Sequence, residues 1–157
     1  MTKIEKQLKE LWGKVGFIVN LSQMVEYNLA NILAFDEILR EFGARDSMYV
    51  LEYNEFAEKA NFWYSKLSKK SLGYALIRAK TIKYFTKESE TLLSQVIEKR
   101  NYVIHKLFKE DLTKKKLDTD PSFYFDELED IIDLLYSVNN DLIEIFKNQK
   151  TEHKCIW

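Results

Sequence analysis

A chain of 157 residues with only four glycines and one proline has little with which to interrupt itself. Glycine costs a helix interior about 1 kcal/mol relative to alanine and proline about 3. Both are also the usual punctuation between short strands. Their scarcity favours long helices, and the spacing of apolar residues agrees. From Lys3 to about Phe42, Leu8, Leu11, Trp12, Phe17, Leu21, Met24, Val25 and Ile32 recur at mostly three- and four-residue steps, as one face of a helix requires. Gly13 and Gly16 are candidate positions for a break or bend near its start.

Further segments follow the same pattern. Ser47 is a candidate cap for a second helix carrying Val50 to Leu67, interrupted at Ser68–Ser71. A shorter helix is expected from Leu72 to about Phe85. Thr86, followed by Glu88 and Glu90, reads as the N-terminus of a helix running to about Lys109, because a capping hydroxyl and early acidic residues suit the positive end of the helix dipole. A polar loop containing Lys114, Lys115 and Lys116 is expected next. Asp120 and Pro121 then read as cap and first residue of a last helix ending near Lys150. The expectation is a single all-α domain over residues 1–157, a bundle of four to five helices with no sheet, with 151–157 as a loose tail.

The bulk properties exclude several classes. The charged start MTKIEKQLKE lacks the apolar stretch of a signal peptide, and no apolar run reaches the roughly 18 residues of a membrane span. One cysteine, Cys155, leaves no internal disulfide, so a reducing cytoplasm is the expected setting and no membrane partner is expected. His153 and Cys155 are too meagre a pair for a metal, and no metal or other cofactor is expected.

The net charge of −1 conceals an asymmetry. Residues 66–116 carry 14 Lys and Arg against 5 Asp and Glu, whereas 117–150 carry 2 against 9. Between Lys66 and Lys87 there are seven basic side chains and no acidic one. Such a concentration of cations is either a solvated face or a surface for a polyanion. On a helical wheel, Leu92, Leu93, Val96, Ile97, Val103, Ile104, Leu107 and Phe108 form one apolar arc. Arg100 falls near its middle. An unpaired charge there costs several kcal/mol, so Arg100 either snorkels or pairs with a carboxylate of another helix such as Asp126, Glu127 or Asp133. Asn101 and His105, four residues apart, stack on one flank of the arc.

The stretch QVIEKRNYVIHKLF, Gln95–Phe108, resembles the Arg-Asn-x-x-x-His signature of HEPN domains (higher eukaryotes and prokaryotes nucleotide-binding). The resemblance covers about fourteen residues at the level of motif and most of the chain at the level of helix order. It implies a helical bundle, and a metal-independent endoribonuclease acting as a toxin or antiphage-defence effector. Arg100, Asn101 and His105 match the family's catalytic positions, in a composite site between two protomers of a homodimer. RNA is the implied substrate, with Lys99, Lys106, Lys109, Arg78 and Lys83 as candidate contacts. A cognate antitoxin protein is a possible partner. Glu26 stands where relatives often carry a polar residue and is a candidate auxiliary. Two positions depart from the pattern: Leu107 replaces a tyrosine that some antitoxins modify, and Lys106 replaces a common glycine.

The chemistry is reasonable in its own terms. An RNA 2′-hydroxyl attacks the adjacent phosphate once a base takes its proton, and an acid protonates the departing 5′-oxygen. Histidine serves either role near neutral pH, and arginine offers a fork of donors to the phosphorane without losing its charge. Asn61–Tyr64 adds rings that suit either base stacking or a core. The competing expectation is a non-catalytic HEPN module that binds RNA or nucleotide, or assembles with a partner. In a third, the motif is coincidental in a helical interaction protein.

Overall fold

The computed structural model describes residues 1–42 and 53–152, and within them the chain is all helical, with no strand. Six α-helices follow in order: α1 Lys3–Phe42, α2 Tyr53–Leu67, α3 Leu72–Ala79, α4 Lys87–His105, α5 Asp111–Thr119 and α6 Phe125–Glu152. Short 3-10 turns occupy Leu107–Lys109 and Pro121–Tyr124. The all-α expectation therefore holds, with six helices rather than four to five. Thr151 and Glu152 belong to α6 instead of a loose tail, while 153–157, with His153 and Cys155, lie outside the described residues, as does Ser47.

α1 is the frame. It runs unbroken through Gly13 and Gly16, where, apart from the helix's own nearby backbone and the adjoining residues, nothing lies within 4 Å of where a Cβ would stand. Its start is fixed by a reciprocal cap: the Thr2 hydroxyl accepts from the Glu5 amide at 3.1 Å, and the Glu5 carboxylate accepts from the Thr2 amide. One face buries Leu11, Ile18, Leu21, Val25, Leu29, Ile32 and Leu33. α6 answers with Leu128, Ile131, Ile132, Leu135, Val138, Leu142 and Ile145, and this pairing forms the main seam of the core. Each fully buried Leu or Ile contributes about 1.5–3 kcal/mol.

Two amides sit within that seam. Asn139 donates to the Leu21 carbonyl at 3.2 Å and accepts from the Asn28 amide at 3.0 Å. Gln149 donates to the Ile32 carbonyl at 3.4 Å, and its Oε1 is buried without a protein partner. Such groups gain full compensation only when α1 and α6 are in register, so they specify one alignment of the two helices.

Several expected boundaries move: α3 ends at Ala79 rather than near Phe85, and α6 starts at Phe125, after a 3-10 turn, rather than at Pro121. α4 stops at His105 rather than Lys109, because Lys106 leaves helical geometry and a 3-10 turn follows. The expected polar loop around Lys114–Lys116 is instead α5. Its buried Thr113 hydroxyl accepts from the Tyr124 phenol at 3.0 Å, which ties a mostly polar helix to the bundle. The Thr86 cap at the start of α4 is as expected, its hydroxyl accepting from the Ser89 amide at 3.1 Å.

Candidate functional site

α4 buries Ser89, Leu93, Val96 and Val103 against the bundle, which fixes its rotation. Arg100 then falls at the edge of the buried arc, its side chain 22% exposed. Its Nη2 donates to Glu26 Oε1 of α1 at 2.7 Å, and Nη1 donates to Asn101 Oδ1 at 3.0 Å. Asp126, Glu127 and Asp133, the carboxylates considered from the sequence, are exposed on α6, and the partner is Glu26 instead. Glu26 was the auxiliary candidate in the sequence, but its pairing with Arg100, 74 residues away, was not evident there.

A guanidinium has five N–H donors. Glu26 and Asn101 each take one, and Nε is buried without a protein partner. One further N–H on each Nη remains for an external acceptor. The orphaned Nε costs roughly 1–3 kcal/mol.

His105 is the last residue of α4, exposed, and without a hydrogen-bond or ion-pair partner among the described residues. It lies one helical turn beyond Asn101 on the same flank. The chain beyond it is anchored by Phe108, whose ring stacks on Trp12 of α1 with centroids 4.7 Å apart and planes 19° from parallel. Two tethers to α1 thus bracket His105, the Arg100–Glu26 ion pair before it and the Phe108–Trp12 stack after it. Trp12 remains 54% exposed and Ile104 is partly exposed, so the face around the motif keeps apolar surface in solvent. The role of Trp12 as a wall of this face was not evident from the sequence, where it read only as part of the helical repeat.

The candidate RNA-contacting cations divide. Lys99, Lys106 and Lys109 are exposed on or just beyond α4, with Lys99 about 120° around the helix from His105. Arg78 is ion-paired with Glu37, and Lys83 with Glu152, so neither reaches a phosphate without giving up a carboxylate. Tyr102, half-buried beside the motif, has its phenol pushed up by burial, with the Glu127 and Glu110 charges adding to the shift. Tyr84 is raised by burial and by donating to Glu152.

Behind Glu26 lies a narrow cleft between α1 and the α2–α3 turn, lined also by Leu29, Ser68, Lys70 and Leu72. Its volume of about 20 Å³ holds a single water and no larger ligand. Among the described residues no three His, Cys, Asp or Glu side chains cluster as a metal site, and no helix is long and apolar enough to cross a membrane. No family model, curated protein or solved structure matches the chain, so what this arrangement does has to be argued from its own residues.

Proposed function

We propose that the chain is a metal-independent endoribonuclease of the HEPN type, acting in the cytoplasm as a toxin or antiphage-defence effector. The observation that carries this is a half-buried guanidinium, oriented by Glu26 and Asn101 and still holding two free donors, one helical turn from an exposed imidazole. In the proposed reaction the ribose 2′-oxygen attacks the adjacent phosphorus and loses its proton to a base. The bond to the 5′-oxygen breaks, and that oxygen takes a proton from an acid, leaving a 2′,3′-cyclic phosphate and a 5′-hydroxyl. His105 supplies one of the two proton transfers, worth typically 10²–10⁴-fold. Arg100 holds the phosphorane oxygens, and Asn101 and Glu26 hold Arg100.

A second protomer supplies the other imidazole across a two-fold axis, which would place the exposed Trp12 and Ile104 against a matching surface. A cognate antitoxin protein would have the same face to cover. Growth arrest on expression, relieved by His105→Ala or Arg100→Ala, is the expected behaviour. Cleavage should persist in EDTA and yield cyclic-phosphate ends. Equal toxicity of the double variant, or strict dependence on Mg²⁺, would overturn the proposal.

A second reading draws on the Arg100–Glu26 pair itself. A guanidinium whose charge is already paired within its own chain also suits a non-catalytic module that binds RNA or nucleotide, or that assembles with a partner. RNA binding that weakens steeply with salt while no strand is cut would favour it.

A further inference from the structure

The sequence from Lys59 to Lys87 contains no acidic residue. Three of its cations are neutralised from α1 or α6: Lys59 by Glu41, Arg78 by Glu37 and Lys83 by Glu152. Lys66, Lys69 and Lys70 are exposed and have no carboxylate partner among the described residues. They line an open groove at the end of α2, together with Asn61, Phe62 and Ser65. The Phe62 ring is 58% exposed on the outward face of α2, and Tyr74 is exposed on the adjoining α3. Lys66 lies over the Trp63 ring at 5.1 Å and Lys70 over the Tyr74 ring at 5.5 Å.

From this we infer that the α2–α3 groove is a docking surface for single-stranded RNA, with Phe62 and Tyr74 as base-stacking platforms and Lys66, Lys69 and Lys70 as phosphate contacts. Rings interleaved with unpaired cations are what an unstructured strand requires, since every base offers a π-face and every phosphate a charge. An anionic membrane would call for a continuous apolar face. The outward side of α2 instead presents Phe62 among Asn61, Ser65, Lys66 and Lys69. The groove also adjoins the cleft beside Glu26. Lys70 lines both the groove and the narrow cleft behind Glu26, whose carboxylate holds Arg100. The inference deepens the ribonuclease proposal by naming where the substrate lies, but binding at the groove is measurable whether or not the chain cuts.

The test is fluorescence anisotropy of a labelled oligouridylate with the full chain carrying His105→Ala, so that the probe survives. Adding Phe62→Ala and Tyr74→Ala should weaken binding about tenfold or more. Phe62→Leu, which keeps apolar bulk and removes the π-face, should weaken it in the same direction. Lys66→Glu, Lys69→Glu and Lys70→Glu together should also weaken it, and make the log–log salt slope shallower by about 2. Both rings are solvent-facing, so thermal melts of these variants should match the parent. In the chain with His105 restored, the ring variants should raise KM for a long single strand more than for a dinucleotide.

Ring variants that bind oligouridylate like the parent would sink the inference. So would groove lysines that capture phosphatidylserine vesicles or polyglutamate while RNA binding is indifferent to them. A chain that cuts nothing yet loses RNA binding on ring removal would instead defeat the ribonuclease proposal and leave the groove standing.

Discussion

Two seams run along α1, and they are built to different rules. Against α6, α1 sets apolar side chains on apolar side chains, and the interruptions are neutral amides, of which Asn28 and Asn139 bond each other and the Leu21 carbonyl. Against α4, α1 offers a carboxylate to a guanidinium with a buried, unpartnered Nε, and a tryptophan more than half in solvent. Neutral amides cost less to desolvate than ions and, bonded across the seam, set the register of two helices. A part-buried ion pair gives little net stability, and an apolar pair of similar size would serve the core as well or better. The α6 seam holds the fold; the α4 seam gives up stability to keep charge and an imidazole at the surface, as expected where function overrides packing.

Five outcomes break or sharpen that contrast, the largest first. His105→Ala should reduce RNA cleavage by about 10²–10⁴-fold while the thermal midpoint stays put, since the side chain is exposed. A matching drop in stability would mean His105 belongs to the structural seam after all. Leu135→Ala, in the centre of the α6 seam, should lower the unfolding free energy by about 2–5 kcal/mol in urea. Asn139→Ala removes the bond to the Leu21 carbonyl, leaves the part-buried Asn28 amide without its acceptor, and should cost about 1–3 kcal/mol by the same measurement. Arg100→Leu should change stability by less than about 1 kcal/mol, or raise it, while abolishing cleavage. A large destabilisation from Arg100→Leu would erase the distinction between the seams.

The smallest effect is alkaline. Burial raises the Tyr84 and Tyr102 phenols, and the hydrogen bond to Glu129 raises Lys14. Each group holds its proton more tightly in the folded chain, so its contribution is complete below about pH 10 and declines as pH climbs through the folded value. Tyr84→Phe and Lys14→Met should flatten the loss of stability above about pH 10 in thermal melts; an unchanged slope would remove these groups as its cause.

Much of this was legible in the sequence because α1, α4 and α6 carry dense three- and four-residue apolar repeats and the Thr86 signal marks a real helix start, whereas Asp120–Pro121 opens an uncapped 3-10 turn ahead of α6. α5 was not. Its residues Asp111–Thr119 are mostly polar, and what holds it is Thr113 meeting Tyr124, a contact made only once the bundle exists. Gly13 and Gly16 suggested a break that α1 does not make, because the buried residues on either side, Leu11 and Ile18, hold both stretches to one core. At the site, local spacing placed Asn101 and His105 on one flank. The choice of Glu26 over three carboxylates of α6 depends on how α1 and α4 cross, which a helical wheel does not contain.

α1 also touches every other α-helix, and its main partner is α6, some 80 residues further along the chain. At a synthesis rate of about 5–20 residues per second, the greasy side of the first helix waits roughly 4–16 s for its cover. During that interval a half-made chain presents Leu11, Ile18, Val25, Leu29 and Ile32 to anything nearby. Growth at low temperature, which lengthens the wait while weakening hydrophobic association, and holdase chaperones, which shield nascent apolar stripes, are therefore the two levers that should most alter how much of this protein reaches its native state.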